Sequence, residues 1–300
     1  MFPTRILLAA DGSEDARRAA RSAAELSLKL DSELHVVYVA PEYPYAYAYY
    51  GLRHENGSRP QDEDRQTLDG YVEQVGENGG TVTGSHLRTG DAAGEIVDLA
   101  EELEVGLVVL GSRGRGALRR ALMGSVSTGV LRHAHCSVLI VRGHEDQREP
   151  FLGKLLVAVD GSEEATAAAQ AATEMARAAD SEVHVAYAMQ EERYRPHLGP
   201  EMWEGWEEGF ERAKRSARSW VENEAQRMRG EGAIKVEPHL LVGRPDAVIV
   251  WLAEEIGADL VLVGSRGLGA MKRTLIGSVS DSAVRHAHCP VMVVRKEKER

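Results

Sequence analysis

Two stretches of the chain place small residues where a backbone could hold an anion. Gly111–Arg142 reads GSRGRGALRRALMGSVSTGVLRHAHCSVLIVR, and Gly264–Arg295 reads GSRGLGAMKRTLIGSVSDSAVRHAHCPVMVVR. Aligned without a gap, 20 of the 32 positions are identical. Both carry glycines at the spacing G-x2-G-x9-G-S: Gly111, Gly114 and Gly124-Ser125, then Gly264, Gly267 and Gly277-Ser278. Glycines and serines between an apolar strand and a helix start expose main-chain N–H groups, a common device for gripping phosphate. Ser125 and Ser278 would stand at that helix start, where unpaired donors meet the positive end of the helix dipole. Arg113, Arg115, Arg119 and Arg120, with Arg266, Lys272 and Arg273, make these segments basic and suit them to neutralise phosphate. Other phosphate motifs fail. No G-x4-G-K-[ST] occurs, and a G-x-G-x-x-G begun at Gly114 or Gly267 ends in Arg119 or Lys272.

The elements that must position these loops are duplicated as well. Arg5–Ser13 (RILLAADGS) matches Lys154–Ser162 (KLLVAVDGS), and Ser32–Glu42 matches Ser181–Glu191, both at an offset of 149 residues. Gly90–Gly111 matches Gly243–Gly264 at an offset of 153, so the second copy has gained residues between its second strand and Gly243. A period near 150 residues in a 300-residue chain implies two ordinary domains. We place them at 1–145 and 152–300, parted by the charged segment GHEDQREPFLG.

Within the first copy, Ile6–Ala10 is an apolar run of the kind buried on both faces of a sheet. Gly12 turns the chain, and Ser13 can cap a helix carrying Ala16, Ala19, Ala23, Leu26 and Leu30 at helical spacing. Then follow a strand at Leu34–Val39, a helix near Asp62–Glu77 and a strand near Thr81–Leu87. A helix bearing Ile96, Leu99 and Leu103 precedes a strand at Leu107–Leu110. After the glycine loop come a helix at Ser125–His133 and a strand at Val138–Val141. The second copy repeats the order, with a longer helix around Met202–Arg229. Five apolar strands separated by helices imply an α/β fold: two doubly wound, five-stranded parallel-sheet domains. Ligands of such sheets sit beyond the carboxyl ends of the strands, where the strand order reverses. Asp11, Val39 and Gly111 lie at such ends, as do Asp160, Ala188 and Gly264.

Composition restricts the partners. The formal net charge of −11 repels polyanions, which argues against a general nucleic-acid or anionic-membrane binder. The two cysteines, Cys136 and Cys289, stand at equivalent repeat positions, so a disulfide framework is not expected and a reducing, cytoplasmic compartment is. Ile6–Ala10 is too short for a signal peptide or a membrane span.

The doubled G-x2-G-x9-G-S motif, with an aspartate closing each first strand (Asp11, Asp160), resembles the universal stress protein family, specifically its tandem-domain members. The likeness covers nearly the whole chain and weakens in 41–80 and 192–237. It implies domains of the adenine nucleotide alpha hydrolase-like type, packed as a pseudo-twofold pair, and a homodimer of whole chains. It also implies ATP, or AMP or ADP, as ligand, with Mg²⁺ carried by the phosphates. The adenine and ribose contacts carried over are Ala9, Asp11 and Val39, then Ala158, Asp160 and Ala188. The phosphate contacts are Gly111, Arg113, Gly114, Gly124, Ser125, Val126 and Ser127, then Gly264, Arg266, Gly267, Gly277, Ser278, Val279 and Ser280. The role implied is regulatory, in stress response or dormancy. Slow ATP hydrolysis at the same sites is the alternative, since the sequence offers no dedicated base beyond the strand-one aspartates.

Other features have plainer readings. Asp11 and Asp160 could serve as helix caps, although Ser13 and Ser162 are available for that task. His133-Ala134-His135-Cys136 and its copy His286–Cys289 have metal-ligating types, but a helix end leading into a buried strand explains them better. Tyr43, Tyr45, Tyr47, Tyr49 and Tyr50 fit a cover for an adenine ring, a subunit contact or a surface loop equally well. Trp203, Trp206 and Phe210 read as the packing side of an amphipathic helix.

Overall fold

A computed structural model of the chain describes residues 4–42, 60–114, 123–142, 151–191, 206–233, 235–267 and 276–296. Tyr43–Tyr50, Arg115, Arg119, Arg120, Trp203, Lys272 and Arg273 lie outside them. The chain divides into two compact units at residues 147/148.

In the first unit the elements follow in order: β1 (Arg5–Ala10), α1 (Glu14–Leu30), β2 (Glu33–Ala40), α2 (Pro60–Glu77), β3 (Val82–Thr89), α3 (Ala92–Glu102), β4 (Leu107–Gly111), α4 (Ser125–His133) and β5 (Ser137–Val141). The second unit repeats them as β6 (Lys154–Ala158), α5 (Glu163–Ala179), β7 (Glu182–Met189), α6 (Trp206–Gly230), β8 (Lys235–Val242), α7 (Pro245–Ile256), β9 (Leu260–Gly264), α8 (Ser278–His286) and β10 (Val291–Val294). Within the first unit the strands lie in the order β3-β2-β1-β4-β5, and within the second β8-β7-β6-β9-β10. Every strand pair within a unit is parallel.

Central strands run apolar on both faces because both faces are covered. Ile6, Leu7, Leu8, Leu107, Val108 and Val109 have no exposed surface at all. Helix α1 packs beside α2, and α3 beside α4, giving two helical layers around the sheet. Helix α1 presents alanines to the sheet (Ala16, Ala19, Ala20, Ala23, Ala24), so it can approach closely. At its start, a Cβ on Gly111 would fall 2.8 Å from the carbonyl carbon of Asp15. The second unit has the same contact, where a Cβ on Gly264 would lie 2.7 Å from the carbonyl carbon of Glu164. Helix–strand packing therefore demands glycine at both positions.

The strand order reverses between β1 and β4, and between β6 and β9. The carboxyl ends of these pairs form the crevice expected of a doubly wound sheet.

Candidate functional site

The crevice of the first unit is built from the β1–α1 turn and the segment after β4. Gly12 turns the chain with φ 82°, a left-handed conformation that side-chain-bearing residues seldom adopt. Its N–H donates to Tyr71 Oη of α2 at 3.1 Å. Ser13 caps α1: its Oγ accepts from the Ala16 N–H at 3.1 Å and donates to the Arg113 carbonyl at 3.0 Å. One hydroxyl thus ends a helix and ties the two crevice segments together.

Asp11 follows β1 and is half-buried. Its Oδ1 accepts from the Ser13 N–H at 2.9 Å. Its Oδ2 faces the glycine loop, where a Cβ on Gly114 would lie only 2.4 Å away. Asp160 does the same in the second unit, with Ser162 N–H to Oδ1 at 3.0 Å and 2.4 Å from Oδ2 to a Cβ on Gly267. The aspartates are therefore not the helix caps; Ser13 and Ser162 are, as their side chains accept from Ala16 and Ala165.

Backbone hydrogen bonds tie the described residues on either side of the segment after β4. Ser112 N–H donates to the Val141 carbonyl at 2.8 Å, and Gly124 N–H donates to the Ser112 carbonyl at 2.8 Å. Ser265, Val294 and Gly277 repeat both bonds at 2.8 Å. Ser112 Oγ donates to Asp15 Oδ2 at 2.6 Å, and Asp15 Oδ1 also accepts from Arg18 at 2.8 Å. Asp15 was not singled out from the sequence. Its signal was available, because an acidic residue follows Asp-Gly-Ser in both copies.

Helix α4 opens at Ser125 with Gly124 as its N-cap, which offers no side chain to its first N–H groups. Helix α8 opens at Ser278 behind Gly277 in the same manner. The N–H groups of Ser125, Val126 and Ser127, and of Ser278, Val279 and Ser280, have no acceptor within their helices by geometry alone. Ser125 and Ser278 are exposed, whereas Ser127 and Ser280 are buried. Ser127 Oγ donates to the Gly111 carbonyl at 2.8 Å, and Ser280 Oγ donates to the Gly264 carbonyl at 2.6 Å. The hydroxyl protons of the second serines thus bind helix to strand, and only their N–H groups remain for a ligand.

Two arginines flank these ends differently. Arg113 is about half exposed, with its Nε 3.9 Å from Asp15 Oδ2. Arg266 has a buried Nε with no hydrogen-bond partner among the described residues. Ala9 lies beside Leu110 and Val37 in the sheet, and Ala158 beside Val263 and Ala186. Val39 and Ala188, near the carboxyl ends of β2 and β7, are partly exposed.

In each unit the first-strand aspartate faces the second motif glycine, and the third caps a helix start beside the residues that follow the strand. The family model for the universal stress protein family matches residues 3–142 and again 152–295. The chain belongs to the universal stress protein family. A universal stress protein of Mycolicibacterium smegmatis is 29% identical over 300 residues, covering 97% of this chain and 96% of its own. A shorter universal stress protein, from Methanocaldococcus jannaschii, is 32% identical over 151 residues, 50% of this chain and 86% of its own. Among solved structures, a universal stress protein from Archaeoglobus fulgidus superimposes with a TM-score of 0.68 at 22% identity. That match covers 97% of this chain and 96% of the other, and it bears on the fold alone.

The remaining features resolve simply in this universal stress protein. Trp206 and Phe210 stack with centroids 5.5 Å apart, and Phe210 is buried, so they pack. His135 pairs with Glu101 at 2.8 Å at the surface, and Cys289 is buried. Among the described residues, neither His-Ala-His-Cys segment gathers three metal-capable side chains. No described helix is long and apolar enough to cross a membrane.

Proposed function

We propose that each unit binds one adenine nucleotide, giving two ATP sites per chain, and that occupancy serves regulation in stress response or dormancy. One observation carries this reading: in both units, a helix start with glycine as its N-cap opens beyond the strand-order reversal, and that glycine is hydrogen-bonded to the residue that follows the strand. A triphosphate would accept from the N–H groups of Ser125, Val126 and Ser127, or of Ser278, Val279 and Ser280. A helix start typically favours an anion by about 0.3–1 kcal/mol, and more where the site is partly buried. Arg266, whose Nε has no partner among the described residues, places a cation beside the helix start of the second unit. Asp11 and Asp160 would hold the ribose, beside Ala9 and Ala158, with the adenine against the backbone of Val39 and Ala188. Mg²⁺ would travel with the phosphates. The same reading has the protein act as a cytoplasmic homodimer.

Equilibrium binding of labelled ATP to the full chain tests it. The expected result is two sites with dissociation constants near a micromolar, equivalent to roughly −8 kcal/mol each. Absence of binding at millimolar ATP rejects it. Slow hydrolysis at the same sites is the second reading, with the strand-one aspartates as the carboxylates it would draw on. Phosphate release above background that is lost in Asp11→Asn would establish it.

A further inference from the structure

Toward the amino end of β7, away from the crevice, a second group of side chains gathers. His184 lies beside Glu237 in the parallel register of β7 and β8, and Ala186 lies beside His239. Residues two apart on a strand share a face, so His184, Glu237 and His239 project together. His184 Nδ1 is 2.8 Å from His239 Nε2 and 3.8 Å from Glu237 Oε2. One ligand atom from each of the three lies within 4.8 Å of the others. His184 is buried, whereas the Glu237 side chain is 61% exposed, so the group is anchored inside and open outside.

A fourth residue sets the protons. His184 Nε2 is 3.0 Å from Glu182 Oε1. An ionised carboxylate only accepts, so Nε2 carries the hydrogen and Nδ1 turns its lone pair toward His239 and Glu237. This is the arrangement in which a second carboxylate orients a metal-ligating imidazole.

We propose that His184, Glu237 and His239 form a site for a divalent transition-metal ion, best matched by Zn²⁺, with water as fourth ligand. Two imidazoles and a carboxylate suit zinc rather than magnesium or calcium, which prefer all-oxygen shells. Nitrogens each about 2.0–2.1 Å from a tetrahedral ion stand about 3.3 Å apart. The rings need to part by only about half an ångström from their present spacing, and the exposed Glu237 can swing in.

The first unit supplies an internal control. His35 and His86 repeat the pair at 3.2 Å, and Glu33 stands 3.9 Å from His35 Nε2. The position matching Glu237, however, is Gly84. Its root sits directly at the pair, since a Cβ there would be 2.6 Å from His35 Nδ1. The first unit therefore lacks the third ligand.

The test is equilibrium dialysis of the full chain, first stripped with chelator, against ZnCl₂, with metal counted by atomic absorption. One Zn²⁺ per chain is expected, and Co²⁺ in its place should give the visible bands of a four-coordinate ion without thiolate charge transfer. Glu237→Gln and His239→Gln should each abolish high-affinity retention, Glu182→Gln should weaken it roughly 10- to 100-fold, and His86→Gln should leave it intact. Glu237→Gln alters an exposed side chain, and far-UV circular dichroism establishes that this variant folds. The proposal is overturned if the wild type retains no zinc, if Glu237→Gln and His239→Gln retain it equally well, or if Co²⁺ reports a cysteine ligand.

Discussion

Asp11 and Gly114 occupy the same space. A Cβ at residue 114 would fall 2.4 Å from Asp11 Oδ2, and Gly267 stands in the same relation to Asp160. The carboxylate can step aside only by giving up the hydrogen bond its other oxygen accepts from the Ser13 N–H at 2.9 Å. The glycine is thus required by an aspartate more than a hundred residues earlier in sequence.

The first prediction follows from this contact. Gly114→Ala should turn the Asp11 carboxylate out of position and abolish one of two nucleotide sites, leaving the second unchanged. Gly267→Ala should remove the other, and the double variant both. The stability cost should be small, about 1 kcal/mol for one displaced hydrogen bond. Titration with labelled ATP reads the stoichiometry. Two undiminished sites in Gly114→Ala would contradict the assignment of Asp11 to the ligand.

Gly111 and Gly124 should separate stability from binding. A methyl on Gly111 meets main-chain atoms of α1 at 2.8 Å, and backbone cannot rotate away. Gly111→Ala should cost about 1–3 kcal/mol, the range for overpacking, and lower the urea midpoint. Among the described residues, a methyl on Gly124 meets nothing closer than 3.5 Å. Gly124→Ala should therefore unfold at the wild-type midpoint while weakening ATP binding, since its methyl would stand at the mouth of the helix start. Equal midpoints for the two variants would refute the distinction.

These glycines show what the sequence could and could not say. Its duplication revealed the β1–α1 turn, the loop after β4 and the start of α4 at Ser125, because Gly-Ser before a helix and His-Ala-His after it are local signals. The three glycines of the motif look alike in sequence, yet one packs against α1, one faces Asp11, and a Cβ on the third would make only ordinary van der Waals contacts with the described residues. What a glycine avoids lies on another element, so its reason is not local. The histidine pairs were missed for a related cause. Each is made by register between two strands, and the edge strand β3 alternates only weakly between buried and exposed. A signal did exist: His35 and His184 share the offset of 149 residues, and His86 and His239 that of 153.

The two serines of each helix start should also part company. From sequence, both Ser125 and Ser127 were phosphate contacts. Ser127 Oγ is buried and donates to the Gly111 carbonyl at 2.8 Å, so Ser127→Ala should cost about 1–2 kcal/mol of stability. Its N–H survives the change, and binding should fall by no more than a few-fold. Ser125 is exposed, and Ser125→Ala should leave the urea midpoint unchanged. Urea denaturation beside ATP titration distinguishes them; a large affinity loss in Ser127→Ala without loss of stability would restore the hydroxyl as a ligand.

The last prediction concerns pH. His35 Nδ1 and His86 Nε2 are 3.2 Å apart, and when both rings are neutral one proton can lie between these two nitrogens. Burial is the main cause that lowers the pKa of each, with His35 adding to the effect on His86 and Glu33 opposing it on His35. Unfolding frees both rings to titrate near the ordinary value of about 6.5. Below that value the unfolded chain binds more protons than the folded one, so acidification favours unfolding. The contribution of the pair is fully present above about pH 6.5 and is lost as pH falls toward the depressed folded values. Urea midpoints measured in chelator should therefore rise with pH through the window below about 6.5 and then level off. His86→Gln removes one buried imidazole and the like-charge neighbour of the other, so the slope should shrink. A variant with the wild-type slope would locate the acid sensitivity elsewhere.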